Sequence, residues 1–358
     1  MNICSIKKTF LYSIITMFYV FLSISSGDEK LKIFILAGQS NMVGHADAHT
    51  IATLFNSGSE RDEGLTNLVF EKDSGLSKKV LEQQLSRAKK IDVLTGGISN
   101  DKIKNLPEGD EKKALEEKVR KQKVGHDAYL AKVTSSCVVS DRVYINSIAD
   151  GNVRSGKLGV GYGGGKNKLG PEYGFGLSIA EKVKGPILLI KTSWGGKSIN
   201  YDFRPPSVGE YQLNEKQKAD AKADQIRKNV SLNYRMMNEA IAKVLAKLKD
   251  NHPDYDPNIG HEMAGFVWFQ GFNDQFSPEF RDNYKKNMIA FIKDIRKEYK
   301  TPEMPFVIGV LGTGRTAEKV GENKVSLGQR EAAKAPEFKG NVLAVESYKD
   351  YSLFSYEV

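Results

Sequence analysis

The chain has 358 residues, 40% of them hydrophobic, with 53 Lys and Arg against 44 Asp and Glu for a formal charge of +9. That length and apolar content supply a sizeable core, in one large α/β domain with insertions or in two domains, and exclude a disordered chain. The basic surplus is mild, suits either an acidic polysaccharide partner or simple solubility, and contains no Lys/Arg block long enough for a nucleic-acid arm.

Residues 1–26 form the first predicted element. Lys7 and Lys8 precede a mostly apolar run of 13 residues, Phe10 to Leu22, and Ser23, Ser25, Ser26 and Gly27 follow. This is the layout of a secretory signal peptide, and the run falls short of the roughly 20 residues of a membrane span. The expectation is a secreted or periplasmic protein, residues 27–358, with no stable membrane insertion after cleavage. Cys4 lies in that segment, so Cys137 stands alone in the mature chain and rules out an intrachain disulfide or a four-cysteine zinc site. Cys137-Val138-Val139 reads as a buried strand thiol.

Apolar runs follow at wide spacing: Leu31–Ala37, Pro186–Ile190, Met263–Phe269, Pro305–Leu311 and Asn341–Val345. Each is near-continuous rather than alternating, as in strands covered on both faces. Helical patterns lie between them at Phe175–Val183, Lys216–Lys249 and Tyr284–Tyr299. Together they predict an α/β fold with a doubly wound, three-layer, parallel five-stranded sheet. Residues 60–125 stand apart, with 15 Lys/Arg against 13 Asp/Glu and helical spacing in Val80-Leu81-Leu85-Ala88, and predict a charged helical insertion after the first strand–helix unit. Gly161-Tyr162-Gly163-Gly164-Gly165-Lys166 lacks the phosphate-loop spacing, because Asn167 follows the lysine, and reads as an active-site loop.

The chemistry lies where strands end. Leu31–Ala37 runs straight into Gly38-Gln39-Ser40-Asn41-Met42, which presents Ser40 at the sheet rim as a nucleophile; alone, it fits a turn with an N-cap equally well. A nucleophilic serine needs N–H donors for an oxyanion and a base for its proton. The second core strand ends in Trp194-Gly195-Gly196-Lys197-Ser198, where the N–H of Gly195 or Gly196 is a candidate donor, or the glycines serve only a tight turn. The third ends in Gln270-Gly271-Phe272-Asn273-Asp274, where Asn273 is a candidate amide donor or a helix cap.

These blocks, with Gly170-Pro171-Glu172-Tyr173-Gly174-Phe175-Gly176, resemble the sialate O-acetylesterase-like branch of the SGNH hydrolases, which also holds acetylxylan esterases. The resemblance runs from about Leu31 to Val345, broken by the charged insertion. It implies an SGNH/flavodoxin-like fold and removal of acetyl groups from an oligo- or polysaccharide through an acyl-serine on Ser40. It also implies an oxyanion hole of the Ser40 N–H, the Gly195/Gly196 turn and Asn273, with no metal or organic cofactor. Gln39, Glu172, Arg204 and Gln270 are the expected substrate-side residues. Phe272 stands where many relatives carry Glu.

One part is missing from the pattern. The family supplies its histidine beyond the last core strand, and Glu346–Val358 contain none. The five histidines are His45, His49, His126, His252 and His261; His45 is the nearest substitute in sequence, while His252 and His261, ahead of the third strand, are expected in surface or loop roles at the opposite rim. The expectation is a chain cut short of its C-terminal helix, or one that has lost its base and serves as a non-catalytic carbohydrate-binding protein.

Overall fold

The computed structural model describes residues 29–56, 60–96, 101–313 and 317–347; the segment 1–26 expected to be a signal peptide and the residues beyond 347 lie outside that range. The chain divides into two compact units, whose described parts are 29–45 with 139–347, and 46–138.

The first unit is built on one sheet. Its strands are β1 (Leu31–Gly38), β2 (Val143–Ala149), β3 (Asn152–Lys157), β4 (Ile187–Ser193), β5 (His261–Phe269), β6 (Phe306–Val310) and β7 (Val342–Glu346). Their spatial order is β3-β2-β4-β1-β5-β6-β7. All neighbours are parallel except β2 and β3, which form an antiparallel hairpin at one edge. The sheet therefore has seven strands rather than five. The two extra ones escape a search for continuous apolar runs for a physical reason: β2 (Val-Tyr-Ile-Asn-Ser-Ile-Ala) buries only alternate residues, and β3 is an edge strand without a buried residue. Ala149 pairs with Asn152, leaving Asp150-Gly151 as a two-residue turn with φ of 49° and 81°, the backbone that Asp-Gly favours in a tight hairpin.

The sheet's helices include α1 (Ser40–Val43), α2 (Pro171–Ala180), α3 (Leu232–Leu245), α4 (Pro278–Glu298) and α5 (Lys324–Ala333). α4 starts where Ser277 accepts the Phe280 N–H and Pro278 opens the first turn. It buries Tyr284, Met288, Phe291, Ile292 and Ile295, a stripe at helical spacing, and Phe291 packs 4.4 Å from the Trp268 ring. The long pattern Lys216–Lys249 is not one helix but four pieces, interrupted near Asp220, Val230 and Ala246.

The second unit is helical and wider than the predicted insertion. Two of its helices, Lys78–Thr95 and Asp110–Ser135, pack on each other and bury few apolar residues: Leu81 and Ala88 on one, Val119, Tyr129 and Val133 on the other. Ser77 caps the first of them and Gly96, at φ 65°, ends it. Cys137 is buried just past the second, its thiol donating to the Val133 carbonyl. It makes a single bridge with Phe70 rather than belonging to a strand.

Candidate active site

β1, β4 and β5 lie side by side, with Gly38 level with Ser193 on one flank and Phe269 on the other. The three motifs that follow these strands thus emerge together at the carboxyl rim, the ligand side of an open α/β sheet. Gly38 makes the close approach possible. Its φ is 154°, and a Cβ there would lie 2.2 Å from the Phe269 carbonyl oxygen. Two backbone bonds lock the crossing: the Gln39 N–H donates to Phe269 O (3.1 Å) and the Trp194 N–H to Gly38 O (3.2 Å).

The chain then turns into α1, whose first N–H bonds, from Met42 and Val43, both end on the Gln39 carbonyl. Ser40 opens this turn, half-buried. Among the described residues neither its N–H nor its hydroxyl has a partner. At the other end of α1, Lys191 Nζ donates to Val43 O at 2.9 Å.

Asn273 is held by both ends of its amide. Its Oδ1 accepts from Gln39 Nε2 (3.2 Å) and its Nδ2 donates to Gly196 O (2.8 Å), leaving one N–H of the amide unspent. The Gly195–Gly196 turn resolves as well. Gly195 N–H donates to Asp150 Oδ1 at 2.6 Å, whereas Gly196 N–H, at φ 69°, has no acceptor among the described residues. Among the described residues, the unspent donors at this rim include the N–H groups of Ser40 and Gly196 and one N–H of Asn273. Gly195 serves the turn instead.

The expected substrate-side residues sit elsewhere in this arrangement. Gln39 and Gln270 are buried scaffolding. Gln39 Oε1 accepts from Gln270 Nε2 and from the N–H groups of Gly271 and Asn273, and Gln270 Nε2 also donates to Lys197 O and Asp274. Glu172 has no surface to offer a sugar: it is fully buried, accepts the Gly170 N–H, and pairs with Lys191. Arg204 is buried too, its guanidinium spent on the carbonyls of Asn200, Gly209 and Glu210 and stacked over Tyr211. A single sequence cannot separate these from ligand contacts, because the same residue types build both.

Asp274, next to Asn273, is fully enclosed and receives the N–H groups of Ile199 and Asn200. Burial pushes its carboxyl up to about 7, against the pull of those donors and of Gln270. Asp150 was not anticipated, although the Asp-Gly hairpin signal marks the turn that places it. His45 lies beside it, Nε2 3.8 Å from Asp150 Oδ2, and makes no hydrogen bond to Ser40. His252 is not a surface residue. It is fully buried, its Nδ1 accepting the Asp254 N–H and its Nε2 therefore donating to Arg142 O, and burial lowers its pKa. His261, at the start of β5, is exposed.

The family model described as carbohydrate esterase, sialic acid-specific acetylesterase, matches residues 152–349, a span that takes in the Gly195–Gly196 turn and Asn273 and begins after Ser40. The chain belongs to this family of carbohydrate esterases. Among solved structures, it is similar to an Arabidopsis thaliana protein at 16% identity, covering 91% of this chain and 89% of that one, with a TM-score of 0.45. A carbohydrate acetylesterase from Xanthomonas citri matches at 12% identity over 88% of this chain and 49% of that one, with a TM-score of 0.42. NanS matches at 12% identity over 58% and 69%, with a TM-score of 0.35. No curated protein matches the chain.

Proposed function

We propose that the chain removes O-acetyl groups from a carbohydrate through an acyl-serine on Ser40. One observation carries the reading: the only serine at the junction of β1 with α1 shares its rim with the unspent N–H groups of Gly196 and Asn273, donors of the kind an acyl-transfer oxyanion requires. Ser40 Oγ attacks the acetyl carbonyl, the oxyanion settles among the Ser40, Gly196 and Asn273 donors, and the sugar oxygen leaves with a proton. Water then releases acetate from the serine. The scaffold of Gln39 and Gln270 fixes Asn273 in advance, so its amide need not reorganise as charge develops. The N-terminal segment supports a secreted protein.

The free Ser40 hydroxyl favours a second reading, a carbohydrate-binding protein without turnover. Acetate release from an acetylated oligosaccharide, compared with Ser40→Ala, decides between them. The esterase reading expects release that the variant loses, together with labelling of Ser40 by an organophosphonate. Equal background rates and no labelling, with sugar binding intact, would leave the binding protein.

A further inference from the structure

Resting on that reading, we propose that the Ser40 site takes an uncharged sugar, its apolar face on Phe272 and Phe276 and its hydroxyls toward Asp150. Phe272 directly precedes Asn273, and its ring meets that of Phe276 edge to face at 5.1 Å. Both rings face solvent, at 43% and 68% exposure. A phenyl pair left open beside a polar rim is a surface of the kind that marks a binding site, and a pyranose C–H face fits it.

At the other end of the Gly195–Gly196 turn, Asp150 spends Oδ1 on the Gly195 N–H and keeps Oδ2 open toward His45. An open carboxylate oxygen accepts sugar hydroxyls and repels a second carboxylate. Three of the neighbouring cations are already paired, and Lys166 of the glycine-rich loop is exposed. Lys191 pairs with Glu172, Lys197 with Asp202 at 3.3 Å, and Arg154 donates to the carbonyls of Gly161 and Gly163. The glycine-rich loop gives His45 its place beside Asp150, since a Cβ on Gly164 would lie 3.0 Å from His45 Nδ1.

The test is binding to the full chain carrying Ser40→Ala, followed by titration calorimetry with two acetylated ligands, a neutral methyl pyranoside and sialic acid. The neutral ligand is expected to bind about tenfold tighter, the scale of one charge repulsion across a wet rim. Phe276→Ala is expected to weaken that ligand about tenfold. Asp150→Asn keeps an oxygen for Gly195 and tolerates the φ of 49°, so it is expected to tighten sialic acid alone and close the gap. Stronger binding of sialic acid, a preference unchanged by Asp150→Asn, or one abolished instead by Lys166→Gln in the glycine-rich loop would overturn the proposal; so would binding of neither ligand. Acetate release by the unmodified chain is scored separately, so its absence with the binding pattern intact would sink the esterase reading alone.

Discussion

Lys191 Nζ lies 2.6 Å from Glu172 Oε2, and both side chains are completely enclosed. The ammonium also donates to the carbonyls of Val43 and Tyr162, so one buried charge ties β4 to the end of the helix that Ser40 begins. Burial lowers the Lys191 pKa and Glu172 opposes the shift. Removing either partner strands the other, at a cost of about 3–5 kcal/mol. Lys191→Met and Glu172→Leu are each expected to lower stability by that order in denaturant titrations. The pair Lys191→Met with Glu172→Leu is expected to cost clearly less than the sum. Additive losses would mean that the two charges are not coupled.

Gly38→Ala tests the strand crossing. The new methyl would overlap the Phe269 carbonyl oxygen in a backbone conformation that alanine avoids, so β1 and β5 must part at the rim. The expected result is a loss of more than about 2 kcal/mol, with reduced organophosphonate labelling of Ser40 in whatever remains folded. A variant as stable as the parent would show that the crossing is looser than described.

Asn273→Ala removes the proposed oxyanion donor and two hydrogen bonds of the scaffold. A drop of about 10²–10³ in kcat is expected, with a much smaller change in KM. Should KM carry the loss while kcat holds, Asn273 would be a ground-state contact instead.

His126, in the helix Asp110–Ser135, is 6% exposed, and both ring nitrogens lack a partner among the described residues. Burial lowers its pKa from 6.5; Asp127 opposes, while His49, Lys123 and Arg87 add to the shift. The unfolded chain therefore takes up a proton that the folded unit refuses, and stability is lost as pH falls below 6.5. His126→Phe is expected to gain about 1 kcal/mol or more at neutral pH and to flatten the decline in melting temperature between pH 7 and pH 5. An unchanged slope would clear His126 of that role.

The continuous apolar strands were legible because a parallel strand covered on both faces writes its burial into every residue, as Ile33–Ala37 do. The β2–β3 hairpin was not legible by that criterion, since its edge position needs apolar residues only at every second place or nowhere. That Ser40, the glycine turn and Asn273 share a rim could be read because strand ends announce rim residues. Which of Gly195 and Gly196 keeps its N–H unspent could not, because it depends on which N–H meets Asp150, a residue 45 positions from Gly195. Glu172 and Arg204 misled for the opposite reason: charged residues beside a conspicuous motif suggest a ligand, and here each is consumed by the fold.

The pairing of β1 sets a schedule. Lys32 is bonded to Glu262, 230 positions further along the chain. At the ribosome's pace of about 5–20 residues per second, the strand that leads into Ser40 waits roughly 10–50 s for its β5 neighbour. The Gly196 and Asn273 donors also emerge well after Ser40, 156 and 233 positions further along the chain. Ser40 is made early, yet it meets the Gly196 and Asn273 donors only once β4 and β5 have joined β1 in the sheet.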